Sequence, residues 1–490
     1  MTIALARWST ILLATLSTAL VAQGTPPGSG AGGAGGPAGR GGAAQPATPP
    51  LTSSPLPTGR VTYRTLTEAN LEMERIEAAN PTKVRRFALP HKTSLGGTVW
   101  ALEITHDVKT PSGKPVFVMT GLHHSREWPT VELPLEFIHD LLKNDGTDPR
   151  ITAALDKVRF IAVPIVNPDG FDLSRTLINE QKRKNCRVQD GKEPTYAECA
   201  NPLNTGAGVD LNRNYGAFWG GIGANVAPTA QSYRGSAPFS EPEIQNMRDL
   251  FASHQVVVAL SNHTPDAKVL RVPSTTDEPT PFDVVQYDSV AQLLGKDLKW
   301  DAGPWPKVYY NASGTMEEQA YYTAGTFAFT FENTPGQRGF HPAYSFVVDQ
   351  YFGTGAYPGS SARAGYMRLL EAAADPALHS VLEIKAPAGA TLTLSKSIVL
   401  ESAPVLLSDR DSTRGPIIKL PMELTATTVV PKGNSPFLWH VNPSSRPSQH
   451  GQVLIAETWT VSCKMKGKPV SVEVSVARGG TAKVDLRKCQ

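Results

Sequence analysis

Four short, mainly apolar runs, at residues 99–104, 116–120, 158–166 and 256–261, constrain this chain more than any other feature. They are too continuous to alternate and too short for a helix, so each reads as a strand covered on both faces. Stretches with helical spacing separate them, at 129–142, 241–254 and 284–294, with a further helical end at 344–374. A first helix is expected at 66–79, with Thr67 as its cap. Strands that alternate with helices predict an α/β domain over 60–377, with a mixed, mostly parallel sheet covered by helices. In such a sheet the functional side chains gather at the strand carboxyl ends and in the loops that follow.

The pattern changes after Asp375. Short alternating runs at 381–384, 391–394, 417–420, 423–430, 453–461, 470–476 and 482–486 are bounded by Pro, Gly, Asn and Ser. They predict a small all-β sandwich domain over 378–490. A sandwich of this size could bind carbohydrate or wall polymer, or brace its neighbour, and no aromatic array decides between them.

Upstream, residues 25–59 hold 10 Gly and 8 Pro, with Arg40 the only charge. Such a segment has too little apolar area to offset its ordering entropy, so a disordered linker is expected. Residues 1–24 carry one charge, Arg7, then an apolar stretch and the small residues Ala22 and Gly24. They read as a signal peptide, with a retained N-terminal anchor as the alternative. A secreted or periplasmic protein is expected, without stable membrane insertion once the leader is removed.

Four cysteines suit export. Cys186 lies near Cys199 and Cys463 near Cys489; of the three possible pairings, neighbour with neighbour closes short loops within single domains. Neither spacing is CxxC, so a cysteine zinc site is not expected. With 47 Lys+Arg against 44 Asp+Glu the net charge is +3, too little to suggest nucleic acid as a partner.

The chemistry concentrates after three of the strands. His124 and Glu127 follow the run 116–120, three residues apart, so one turn of backbone can aim an imidazole and a carboxylate at one point. Nitrogen and carboxylate oxygen together suit zinc, although an isolated HxxE also fits a helix start with solvated charges. His263 follows the run 256–261 and could supply a third ligand. In 326–332 the aromatics alternate, which puts Phe327, Phe329 and Phe331 on one face and leaves Glu332 as a carboxylate at a strand end. That is the placement a general base requires.

Six ordered blocks then carry a resemblance. His124-Ser125-Arg126-Glu127-Trp128, Asn167-Pro168-Asp169-Gly170, Asp210-Leu211-Asn212-Arg213-Asn214, Phe239-Ser240-Glu241-Pro242-Glu243, Asn262-His263-Thr264 and Phe329-Thr330-Phe331-Glu332 together resemble the zinc metallocarboxypeptidases of the carboxypeptidase A/B family, in its bacterial secreted branch. The resemblance covers roughly 60–375. It implies one Zn2+ held by His124, Glu127 and His263, with Glu332 as general base and Arg183 stabilising the oxyanion. It further implies that Asn212 and Arg213 grip the substrate's terminal carboxylate, that Tyr310 caps it, and that Arg126 is an accessory arginine in the cleft. Asp210 would orient a ligand histidine. Glu317 falls at the floor of the specificity pocket, where an acid goes with C-terminal Lys or Arg.

The chain departs from relatives at Pro265, where an aromatic is common, and His123 is expected to be a bystander rather than a ligand. The expected activity is removal of C-terminal residues from peptides and proteins by a monomer. Two other readings stay open: a peptidoglycan amidase, and a non-catalytic peptide-binding protein, against which the filled catalytic positions argue.

Overall fold

The structure is a computed structural model and describes residues 51–187, 192, 194–335, 338–433 and 436–489. The expected signal peptide and residues 25–50 of the expected linker lie outside the described residues. The linker does not extend to 59. Leu56 is 3% exposed within the main core, and Thr58 binds Glu136 through both its N–H and its hydroxyl, at 3.1 and 2.6 Å. One leucine and two hydrogen bonds are enough to tie down a segment whose composition reads as tether.

Eight strands build the central sheet: β1 (Val84–Lys92), β2 (Thr98–Ile104), β3 (Val116–Thr120), β4 (Arg159–Val163), β5 (Val256–His263), β6 (Lys268–Arg271), β7 (Asp301–Pro304) and β8 (Phe327–Glu332). Their order is β1-β2-β4-β3-β5-β8-β6-β7. The centre, β4-β3-β5-β8, is parallel throughout, while β1, β2 and β6 join in antiparallel fashion. β3, β5 and β8 are buried along their whole length, which is why they read as continuous apolar runs. β1, with Arg85, Arg86 and Lys92 among its residues, carries no such signal and was not expected.

Helix α1 (Leu66–Ala79) has the expected bounds, but its cap is Thr65, not Thr67. The Thr65 hydroxyl accepts from Glu68 N and the Glu68 carboxylate accepts from Thr65 N, a reciprocal capping box. Helix α2 (Pro129–Asn144) is buried almost throughout, and its row Glu132, Glu136 and Asp140 faces inward. Arg64, fully buried, pairs with Glu132 and, at 2.8 Å, with Glu136, and Arg363 pairs with Asp140. Paired charges of this kind can stay inside where single ones cannot. The expected helical end 344–374 is two helices, Ser345–Phe352 and Ala362–Ala374, and the first stops at Gly353 in the left-handed region.

The C-terminal residues form a four-stranded sheet containing Thr391–Glu401 and a three-stranded sheet containing Ser380–Lys385. The expected strands 417–420 and 423–430 are one strand, Lys419–Val429, despite Pro421. Pro421 lies in the outermost strand, where the missing N–H can face away from the ladder. Strand Phe437–Val441 was not expected. The apolar core runs without a break from the central sheet into Leu382, Leu394, Trp459 and Val461. Backbone bonds cross as well, from His440 N to Gly113 O at 2.7 Å and from Ala403 N to Trp219 O at 3.1 Å. Cys186–Cys199 and Cys463–Cys489 are bonded, with Cα separations of 5.2 and 5.8 Å. No helix among the described residues is long and apolar enough to cross a membrane.

Candidate metal centre and substrate cleft

Three parallel strands deliver the centre. After β3 the chain turns at Gly121, where a Cβ would lie 2.1 Å from Thr130 O, so only glycine lets the turn press against the start of α2. The turn presents His124 and Glu127. β5 ends at His263 and β8 at Glu332, and these two residues pair directly across the strands. Parallel neighbours lie about 4.8 Å apart, so strand register alone places Glu332 beside His263.

His124 Nδ1 is 2.8 Å from Glu127 Oε1, and His263 Nδ1 is 3.0 Å from His124 Nδ1 and 3.1 Å from Glu127 Oε2. All three residues are buried. The second nitrogen of each ring is engaged elsewhere: His124 Nε2 lies 3.0 Å from Asp210 Oδ1, and His263 Nε2 lies 2.9 Å from Ser261 Oγ. With the ring protons on those outer nitrogens, two imidazole lone pairs and a carboxylate converge on one point. Such convergence is repulsive unless a cation sits there. Two nitrogens and one carboxylate oxygen form a set suited to zinc, and separations near 3 Å approach the roughly 3.3 Å edge of a tetrahedral zinc site. The donor set therefore fits a divalent metal ion such as zinc.

Electrostatics around the point agree. Burial would raise the Glu127 carboxyl, but His124 and His263 hold it far below the usual range. Burial drives His263 down to about 4, keeping the imidazole neutral. Asp210, fully buried, is likewise held well below the usual range by Arg183 and His124 against the effect of burial. Arg183 donates to Asp210 Oδ2 from Nη2 at 2.9 Å and has Nη1 3.7 Å from Glu127 Oε1. Burial pushes Glu332 well above the carboxylate range, with Glu127 and Asp266 adding to it.

The other predicted residues lie in the loops around this centre. Asp210 caps a single turn, Leu211–Arg213, by accepting from Asn212 N at 3.0 Å. Arg213 is held by carbonyl oxygens, Nε on Gly223 O at 3.0 Å and Nη1 on Asn212 O at 2.7 Å, and its guanidinium carbon lies 6.0 Å from the Tyr310 ring centroid. Nη2 has no hydrogen-bond partner among the described residues. Asn212 Nδ2 lies 3.4 Å from His263 Nε2; with the ring proton on Nε2 these are two donors, so this is a close approach and not a hydrogen bond. Arg126 stacks 3.9 Å over the Phe340 ring and donates from Nη1 to Gln181 O at 3.4 Å.

Glu317 and Glu318 separate in role. Glu318 caps its own helix, Met316–Ala324, by accepting from Thr315 N at 2.7 Å. Glu317 accepts a bond from the Thr330 hydroxyl on β8, while its other oxygen, Oε2, is buried with no hydrogen-bond partner among the described residues, as is Glu318 Oε1. Burial raises its pKa. Sequence reasoning placed these residues but missed the second layer around His263, formed by Ser261, His123 and Tyr215. Ser261 and His263 share a strand face by their spacing of two, which is the one signal available beforehand.

Residues 70–351 match the model of a family described as zinc carboxypeptidase. Rat carboxypeptidase A2 is 31% identical over 278 residues, which cover 55% of this chain and 62% of that protein. Bovine carboxypeptidase B is 30% identical over 276 residues, covering 54% and 62%. The chain thus matches about three fifths of the length of these curated relatives. Among solved structures, a carboxypeptidase A from Helicoverpa armigera has a TM-score of 0.54 and 23% identity, covering 64% of this chain and 75% of that one. Bovine thrombin-activatable fibrinolysis inhibitor has a TM-score of 0.53 and 21% identity, covering 64% and 97%. These two likenesses are of fold.

Proposed function

This chain belongs to the zinc carboxypeptidase family, and on that premise we propose that it is a secreted, zinc-dependent carboxypeptidase that removes C-terminal residues, with a preference for Lys and Arg. The observation that carries the reading is the convergence of His124, Glu127 and His263 with Glu332 paired beside them at the next strand end. When bound, zinc would act as a Lewis acid on the scissile carbonyl and acidify water.

The chain's own residues do the rest. Glu332 accepts a proton from the attacking water on its carboxylate and returns it to the leaving amine. Arg183, held in place by Asp210, faces the charge that develops on the carbonyl oxygen. Arg213 offers its free Nη2 to the substrate's terminal carboxylate, Asn212 supplies an amide donor, Tyr310 covers the bound end, and Arg126 adds positive potential. The Glu317 oxygen without a partner supports the basic preference: a Lys or Arg side chain would satisfy it, and a Phe would leave it bare. Two disulfides support an oxidising destination, and we assign residues 1–24 as the leader that directs export.

The test is kcat/KM on peptides that differ only in the last residue, Arg or Phe, each with a free or amidated terminus. Arg-ended free peptides should be favoured, and amidation should cost roughly 10–100-fold through the lost charge-assisted bonds. Arg213→Ala should erase that discrimination, and Glu317→Ile should turn the preference toward Phe. Indifference of the wild type to amidation would sink the exopeptidase reading. A ratio of Arg to Phe unmoved by Glu317→Ile would sink only the pocket assignment.

A further inference from the structure

His123 precedes His124 and is fully buried, yet it takes no part in the converging cluster. Its ring lies nearly parallel to that of His263, with centroids 5.5 Å apart at 17°. Its Nδ1 is 3.2 Å from Ser261 Oγ and its Nε2 is 2.8 Å from the Tyr215 hydroxyl. Ser261 Oγ in turn is 2.9 Å from His263 Nε2. A hydrogen-bonded file therefore runs His263–Ser261–His123–Tyr215, every member buried.

We propose that His123, acting through Ser261, is a positioning residue that sets the tautomer in which His263 can bind metal; the inference rests on the zinc reading above. For Nδ1 of His263 to offer a lone pair beside His124 Nδ1 and Glu127, its proton must sit on Nε2 and be donated to Ser261 Oγ. A serine hydroxyl has one hydrogen. Once its lone pair is engaged by His263, that hydrogen goes to Nδ1 of His123, whose own proton then lies on Nε2 and is donated to Tyr215. Ser261 and His123 then each give one bond and take one, and bonds aligned in this way polarise one another.

Without an acceptor at position 123, the Ser261 hydrogen turns to the nearest remaining acceptor, Nε2 of His263. That selects the opposite tautomer, with a proton on Nδ1 pointing at Glu127 and His124, where it opposes a cation. The effect of His123 is thus exerted on metal affinity, with no contact to metal or substrate.

The experiment measures the zinc dissociation constant of full-length, chelator-stripped protein by competition with a chromophoric chelator, together with the visible spectrum of the cobalt-loaded form. His123→Leu fills the space and removes the acceptor; it should weaken zinc binding about 10–100-fold, the usual cost of a lost partner behind a ligand histidine, and shift the cobalt bands. His123→Asn, whose Oδ1 occupies the place of Nδ1, should restore binding to within about threefold. Ser261→Ala should weaken binding like His123→Leu, and it carries the test if the leucine variant does not fold. Wild-type affinity in either His123→Leu or Ser261→Ala overturns the inference. So does His123→Asn binding as weakly as His123→Leu, since packing rather than the hydrogen bond would then be at work. A wild type that holds no zinc removes the metal reading itself, a different result from any of these.

Discussion

Strand β5 and the strand Thr391–Glu401 each lie inside their sheets, yet they are made differently. All eight residues of β5 are buried, whereas Thr391–Glu401 alternates, with buried Leu392, Leu394, Ile398 and Leu400 on one face and partly or fully exposed residues on the other. A strand covered on both faces has no room for unpaired polar side chains along its length, so they gather at its end and beyond. In β5 that end is His263. A strand with one wet face scatters its polar residues, and nothing forces chemistry to one point. The two regions share a core but differ in what a mutation should do.

The sharpest way to break this contrast is at the strand end. Glu332→Gln should lower kcat on the order of 10²–10⁴-fold, the usual range for a lost proton-transfer group, while zinc content and melting temperature hold. Near-normal turnover would take Glu332 out of the reaction, and a collapse in melting temperature would make it structural. In the alternating region the expectation reverses. Leu394→Ala should cost about 2–5 kcal/mol in denaturant unfolding, with kcat per folded molecule unchanged. A loss of kcat there would show that the C-terminal strands shape the cleft.

A smaller effect separates the regions by pH. Burial would raise the Glu72 carboxyl, but His139 and Arg64 bring it down from its ordinary 4.5 to about 2. A depressed carboxyl stabilises the fold above its unfolded pKa, and that stability is lost as pH falls from about 4.5 through 2. On this basis Glu72→Gln should reduce stability at pH 7 by an amount on the order of 2 kcal/mol and flatten the acid limb between those values. An unchanged acid limb, followed by tryptophan fluorescence, would show that the Arg64 cluster does not govern acid unfolding.

The metal-ligating and acid–base positions were legible because they follow apolar runs that periodicity picks out, whereas Arg183, Asn212, Arg213, Tyr310 and Glu317 came only from the resemblance. His124 after β3, His263 at the end of β5 and Glu332 at the end of β8 stand where the sequence pattern puts them. Arg64 was not legible. It lies in a polar stretch, and only the docking of the N-terminal segment on α2 surrounds it with Glu72, Glu132 and Glu136. Nor was the order at Leu56 and Thr58, where a few specific contacts outweigh a tether-like composition. The separation of Glu317 from Glu318 needed the start of the helix, since neighbours on a helix point about 100° apart and the cap claims one of them.

The sequence by itself determined the layered α/β class, the alternating C-terminal strands and which residue types end the central strands, and it favoured the cysteine pairing that the structure shows. These are local properties, set by period, composition and spacing. Tertiary structure alone decided that one apolar core joins both regions, which ligand histidine Asp210 stands behind, and that His123 reaches His263 through Ser261. The contacts of Asp210 with His124 and of His123 with Ser261 join residues 86 and 138 positions apart. They depend on strand order and register, which come from how the whole sheet packs and not from any short stretch of chain.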